Sequence, residues 1–303
     1  MTSGSLARRG FTLVELLISM IVTAIIGAAL VRMVLSQARF MDQQEAWREA
    51  RSVSRGGINR LLSDLRAVEA GIAAGSGGLR AAAAGGQDFT VRVPYAFGIL
   101  CGIAGVGPTV YTVSLLPVDA TMYAEPGYTG FAIRNKAGVY TYSAGSVAPV
   151  LPGTTALCLT GLYDQITTVP AFNGSPAGTV VNLTRAGAIM PAPDRGSIVY
   201  LYRDIRYEFK ASVNIPGRTA LWRTPISAVA SAEELAAPFD ATARVNFYNL
   251  DVMPAQAAVP APLSNVRGLE LLLNGMSERT PAGSAAPKTA NMTTSVFFEN
   301  RPD

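Results

Sequence analysis

The chain has 303 residues, of which 49% are hydrophobic and 15% charged, with a net charge of +4 and no histidine. The lack of histidine excludes Ser-His-Asp and Cys-His catalysis and any histidine-ligated metal site. The near balance of basic and acidic side chains argues against direct binding of nucleic acid.

The first element in chain order is an apolar segment that follows two arginines and a glycine. Arg8-Arg9-Gly10 precedes Phe11, and nearly every residue from there to Val31 is apolar. A run of about 20 apolar residues can cross a bilayer as a helix, so residues 11–35 are predicted to span a membrane. Glu15 is the one ionisable group inside the run. A carboxylate there needs a partner, because its burial in lipid is costly.

This N-terminus resembles that of type IV prepilins and of the related pseudopilins of type II secretion. Their pattern is a short basic leader, a glycine, and Phe-Thr-Leu-x-Glu at the start of an apolar helix, and Gly10 followed by Phe11-Thr12-Leu13-Val14-Glu15 matches it throughout. The resemblance implies a leader of residues 1–10, cleavage after Gly10 by a membrane prepilin peptidase, and N-methylation of Phe11. It also implies that Glu15 sets the register of assembly by neutralising the freed amine of a neighbouring subunit, which offsets the desolvation of both charges.

A secretory signal and a plain membrane anchor fit the apolar run less well. A secretory signal has an apolar region of about 7–15 residues with its cleavage site after it, whereas here the run is longer and the expected cut precedes it. A plain single-span anchor would need neither Glu15 nor the Gly10-Phe11 junction. The basic leader predicts a cytoplasmic N-terminus and an exported, periplasmic C-terminal domain at the inner membrane, which later reaches the extracellular pilus.

The helical pattern continues beyond the span. Residues 36–71 contain no proline and carry apolar residues at three- and four-residue steps, so 11–71 is predicted as one long helix whose second half is amphipathic. Gly56-Gly57 interrupts the pattern and predicts a bend or break, and Gly71 supplies a stop. The end of this helix resembles that of PilW-like minor pilins.

Residues 72–87 are rich in glycine and alanine and are interpreted as a flexible connector. Beyond it, β patterns predominate and predict a β-rich variable insertion over 88–195 and a C-terminal β-sheet part over 196–303. The predicted fold class is α+β, with a pilin-like long helix packed on an antiparallel sheet. The candidate strands are Phe89–Val93, Val110–Leu116, Phe131–Arg134, Val139–Tyr142, Ala156–Leu159, Thr179–Leu183, Ile198–Tyr202, Ile205–Ala211, Ala220–Arg223, Ala243–Asp251, Gly268–Leu273 and Thr294–Glu299.

Two local predictions concern these β-rich parts. Ser231 and Glu234 have capping-box spacing, which favours a short helix over Ala230–Ala236. Because exported thiols tend to oxidise, a Cys101–Cys158 disulfide is hypothesised, worth roughly 4 kcal/mol in the chain-entropy model. The alternative is two unrelated buried thiols.

The order of strands after residue 196 resembles that of PilW-like minor pilins and of the J-type pseudopilins. The resemblance implies a minor pilin that primes pilus assembly or lies at the tip, with the prepilin peptidase, other major and minor pilins, the inner-membrane assembly platform and membrane lipid as partners. No catalytic residue, metal or cofactor is predicted. The open alternatives are a J-type pseudopilin, a pilus-borne adhesin that uses residues 88–195, and a tethered enzyme.

Overall fold

Helix α1 spans Leu13–Leu65 and dominates one side of the computed structural model. Thr12 caps it, with extended backbone and a side-chain oxygen that accepts from the Glu15 N–H at 3.3 Å. The residues that the structure describes are 12–69, 78–105, 108–116, 119, 122–124, 126–149, 179–250 and 252–298.

Two details of the predicted helix were wrong. The helix runs without interruption through Gly56 and Gly57, because the second of these glycines permits close packing on the sheet and does not bend the helix. A Cβ on Gly57 would lie 2.9 Å from the ring of Phe239. The helix also ends at Leu65, before Gly71, because the chain turns there and buries Val68 in the core.

Thirteen strands follow among the described residues, and every pairing between them is antiparallel. This confirms the α+β fold class, one long N-terminal helix on a large antiparallel sheet. The strands are β1 Gly78–Ala82, β2 Asp88–Ala104, β3 Thr109–Leu115, β4 Gly130–Arg134, β5 Tyr140–Ser143, β6 Ser146–Pro149, β7 Val180–Arg185, β8 Ile198–Ala211, β9 Thr219–Pro225, β10 Glu233–Phe239, β11 Arg244–Asn249, β12 Val266–Met276 and β13 Thr289–Phe297.

The two longest strands, β2 and β8, lie side by side at the centre of the sheet. The order is β11-β12-β10-β9-β8-β2-β3-β7-β6, and β13 extends the sheet beyond β12. The β2–β8 register runs from Asp88 opposite Glu208 to Ile99 opposite Ile198. Since β2 belongs to the 88–195 stretch and β8 to the C-terminal part, the boundary near residue 195 divides one continuous sheet.

Two other predicted elements need correction. The connector 72–87 contains β1, which pairs with β2. The helix predicted over Ala230–Ala236 is instead a short 3₁₀ turn followed by β10, which pairs with β9. Pro238 disfavours helical backbone in the residue before it, and pairing with β9 satisfies backbone groups of the extended chain.

Among the described residues the sheet has two large hydrophobic cores and a small cluster of Ala132, Tyr200 and Tyr202, and α1 covers only one of the large cores. The first contains Leu61 and Leu65 of the helix together with side chains from β1, the first half of β2, the second half of β8 and the strands from β9 to β13. The second is built from the far halves of β2 and β8 with β3, β4 and β7. The buried part of the helix is therefore attached to one half of the sheet.

Candidate assembly site

The N-terminal half of α1 is almost entirely exposed, and a loop of the sheet domain approaches it near its end, where Gly283 lies beside Arg39. Every residue from Leu13 to Met41 is exposed, except for the partly covered Gly27. An 18-residue window of this helix reaches a mean hydropathy of 2.4, and none of that window is buried. About 29 apolar-rich residues at 1.5 Å each extend over roughly 44 Å, which exceeds the hydrocarbon thickness of a bilayer. Such a surface is suited to lipid or to other apolar helices.

Glu15 lies in the first turn of this exposed half. Its backbone N–H is bonded to the cap residue Thr12, and its side chain is exposed beside exposed Leu16. An acid near a helix N-terminus interacts favourably with the helix dipole. The same carboxylate is exposed to a cation from outside the chain, as the role implied by the resemblance to prepilins requires.

The C-terminal half of α1 changes abruptly from exposed to buried. Ala46, Ala50 and Ser54 are the first buried residues, and they lie on one helix face. The Ser54 hydroxyl accepts from the Gly275 N–H at 2.8 Å and lies 3.1 Å from the Leu273 carbonyl oxygen, within donating distance. This serine joins the helix to the backbone of β12.

An ionic contact joins the last turn of α1 to β8 and β9. Asp64 accepts from Arg223 at 2.8 Å and from the hydroxyl of Tyr207. Burial raises the pKa of Tyr207 well above its usual value, and the neighbouring carboxylate raises it further. Tyr207 therefore stays protonated in the fold and donates to Asp64.

A second carboxylate, Glu69, lies just beyond the helix and accepts from two tyrosines. Tyr200 of β8 donates at 2.5 Å, and Tyr142 of β5 also donates. Burial raises the pKa of both hydroxyls, and Glu69 adds to the effect. The segment after the helix is thus tied to strands on both sides of residue 195.

Beside these tyrosines, Arg92 of β2 is buried and forms a bidentate pair with Asp204 of β8, at 2.8 and 3.0 Å. Its guanidinium lies 4.0 Å from the ring centroid of Tyr202. The pair holds the two central strands together where the two cores meet.

The structure leaves part of the predicted site open. Gly10 and Phe11, the predicted cleavage and methylation residues, lie outside the described residues, as does Cys158. Cys101 is buried in β2. Because its predicted partner Cys158 is not among the described residues, the disulfide stays a prediction. No group of three or more metal-ligating His, Cys, Asp or Glu side chains occurs in the described part of the chain.

Sequence reasoning missed the roles of four residues: Thr12, which caps the helix, and Ser54, Asp64 and Glu69, which attach the helix and the segment after it to the sheet. A signal existed only for Thr12, because Thr12 and Glu15 have the spacing of a capping box. Ser54 and Asp64 are polar residues on the helix and Glu69 lies just beyond it, and the partners of all three lie more than 70 residues away. Nothing in the local pattern indicates such contacts.

Comparison with known proteins gives one result that bears on this site. Residues 6–31 match the family model described as the prokaryotic N-terminal methylation motif. No curated protein and no solved structure matches the chain. The chain thus carries a prepilin-type N-terminal motif followed by an apolar helix, as type IV pilin-like proteins do, and this confirms the resemblance drawn from Gly10, Phe11 and Glu15.

Proposed function

We propose that this chain is a PilW-like minor pilin. It primes the assembly of a type IV pilus or lies at its tip. The observation that carries the proposal is the division of α1: the half that bears the prepilin-type motif and Glu15 is exposed at every position except the partly covered Gly27, whereas the other half is packed on the sheet. A helix that is apolar all round is stable only in lipid or among other apolar helices.

The mechanism we propose is assembly without an active site in this chain. The prepilin peptidase cleaves after Gly10 and methylates Phe11, and the helix remains in the inner membrane with the sheet domain in the periplasm. The assembly platform then brings it beside other major and minor pilins, whose apolar helices pack laterally into the filament. There Glu15 meets the freed amine of a neighbour, and the pair offsets the desolvation of both charges.

The experiment is the substitution Glu15→Ala in the full chain. Cleavage after Gly10 should continue, because the cut lies outside the helix, but assembly should fall by about tenfold or more, since an unpaired buried charge costs several kcal/mol. Processing is measured by N-terminal sequencing, and assembly by the amount of sheared pili. The matched control is Glu45→Ala, an exposed acid on the same helix, which should assemble normally. Unimpaired assembly of Glu15→Ala would overturn the register role.

A second measurement separates a pilus subunit from a J-type pseudopilin, since both share the N-terminal motif. The full chain is cross-linked in the membrane, and the subunits that co-purify with it are identified. Pilus subunits are expected. Recovery of secretion pseudopilins alone would replace the pilus assignment.

A further inference from the structure

A pocket of about 550 Å³ lies against α1 just beyond the strongly apolar part of the helix. One wall is the helix itself, and the other is the loop between β12 and β13. The lining residues are Arg32, Leu35, Ser36, Arg39, Phe40, Gln43 and Gly283.

The polar lining residues of the helix project from one face. Arg32, Ser36, Arg39 and Gln43 follow one another at steps of three or four, so they form a single stripe. The same stripe continues into Ala46, the first buried residue of the helix. Arg32 and Arg39 therefore point to the side of the helix on which the sheet domain is packed. They lie between that domain and the apolar N-terminal part of the helix.

The loop between β12 and β13 closes the pocket from above. The Ala282 N–H donates to Asp42 at 2.5 Å, and the Glu278 N–H donates to Glu49 at 3.2 Å. Gly283 has a φ of +80°, a conformation that favours glycine, and a Cβ there would lie 3.6 Å from Cδ of Arg39. The loop is thus held on the helix at the level of the upper arginine.

The pocket is positively charged. Neither Arg32 nor Arg39 forms an ion pair with a carboxylate among the described residues. Asp42 is the nearest acid along the stripe, and it is bonded to the backbone of the loop. Two guanidinium groups thus face the same space without a counter-ion from the described chain.

The position of the pocket along the helix indicates what occupies it. Arg32 is about 28 Å along the axis from Leu13, which matches the hydrocarbon thickness of roughly 30 Å. Arg39 is about 10 Å further along, at the depth of the lipid headgroups. Phosphate oxygens are the anions abundant at that depth, and guanidinium groups bind them in bidentate fashion.

We infer that this pocket binds the phosphate group of an anionic phospholipid in the outer leaflet of the membrane. Arg32 and Arg39 contact the phosphate, the side chains of Ser36 and Gln43 donate hydrogen bonds to the headgroup, and Leu35 contacts the apolar chains below. The inference rests on the proposed function only in requiring that the helix is inserted in the membrane with the sheet domain on its outer side.

The test uses the full chain in nanodiscs that contain equal amounts of phosphatidylcholine and phosphatidylglycerol. After mild detergent extraction, the lipids retained by the protein are counted by native mass spectrometry. The wild type should retain phosphatidylglycerol preferentially. An arginine near an anionic surface is worth about fivefold in affinity, so Arg32→Gln/Arg39→Gln should lower that preference by roughly 20-fold.

The matched control is Arg48→Gln/Arg55→Gln. These arginines are exposed, have the same spacing of seven residues, and lie on the opposite face of the same helix. The control should keep the lipid preference, and unchanged thermal unfolding of both double variants verifies that they fold. Equal retention of the two lipids by the wild type, or equal preference in the wild type and Arg32→Gln/Arg39→Gln, would overturn the site.

Two further arms separate a lipid site from a free-anion site and from a failure of the proposed function. Excess inorganic phosphate should not displace the retained lipid, because the apolar contacts hold it; full displacement would assign the pocket to a free anion instead. If the chain fails to enter nanodiscs at all, the proposed function falls. If it enters and Glu15→Ala blocks assembly while lipid preference is absent, only the headgroup site is wrong.

Discussion

Adjacent glycines at positions 56 and 57 have opposite environments within one helix turn. Gly56 is exposed, and a Cβ there would meet nothing within 4 Å, whereas Gly57 is buried and a Cβ there would approach Phe239 and Leu273 at 2.9 and 3.2 Å. The sequence pattern predicted a break because each glycine lowers helix propensity. The helix tolerates that cost because Gly57 allows it to approach the sheet closely.

This difference gives a matched pair of substitutions. Gly57→Leu should destabilise the fold by about 2 kcal/mol, because overpacking a well-filled core costs roughly 1–3 kcal/mol. Gly56→Leu should be neutral or stabilising by up to about 1 kcal/mol, through helix propensity alone. Both are measured as changes in the free energy of unfolding of the full chain in detergent. Equal effects at the two positions would contradict the close contact at Gly57.

The predicted disulfide between Cys101 and Cys158 can be tested directly. Alkylation of the unfolded chain without reductant, followed by mass spectrometry, should leave both cysteines unmodified. Modification of both would support the alternative of two separate thiols.

Single elements were predictable where their pattern is local. The apolar run and the amphipathic second half of α1 gave a helix close to the observed one, and the alternating segments gave β3, β4 and β9 within a residue or two. β2 was predicted only over Phe89–Val93, because glycines and Pro94 follow. β10 was misread because Ser231 and Glu234 have capping-box spacing, while pairing with β9 decides its conformation.

The packing of the helix on the sheet was predicted, but the polar contacts that attach it could not be, because they depend on partners distant in sequence. Ser54→Ala should remove the acceptor of the buried Gly275 N–H and lower the free energy of unfolding by about 1–3 kcal/mol. Ser52→Ala is the control, since Ser52 is exposed on the same helix, and it should change stability by less than about 0.5 kcal/mol. A Ser54 variant as stable as the control would show that this contact contributes nothing to the attachment.

Over the whole molecule, tyrosines join parts of the chain that the sequence suggested were separate. Tyr142 and Tyr200 bring residues from both sides of position 195 to Glu69, and Tyr207 brings β8 to the helix. Composition alone could not indicate this, because a tyrosine in a strand is equally consistent with simple packing. Strand pairing also joins residues 88–195 to the C-terminal part, because β2 and β8 pair along most of their length.

These tyrosines predict how stability depends on pH. Burial raises the pKa of Tyr200 and Tyr207 in the fold, whereas in the unfolded chain a tyrosine titrates near pH 10. Above about pH 10 the unfolded state therefore binds fewer protons than the fold, and stability falls by about 1.4 kcal/mol per pH unit for each such tyrosine. Below about pH 9 this contribution is fully present and constant.

Thermal unfolding of the full chain between about pH 8 and pH 11 checks this sign. Tyr200→Phe and Tyr207→Phe should each reduce the alkaline loss of stability. Tyr123→Phe is the control, because Tyr123 packs on the second core without a carboxylate partner in the described ranges, and it should leave the loss as steep as in the wild type. Identical alkaline slopes in all four proteins would contradict the assignment.

The spacing of the helix attachments has a mechanical consequence. Asp42, Ser54 and Asp64 are joined to the sheet domain at points spread over 22 residues, or about 33 Å of helix axis. A force directed along that axis loads these attachments in shear, so they share the load and do not rupture one after another. Traction on the membrane end of the rod should therefore displace the sheet domain as a rigid body together with it.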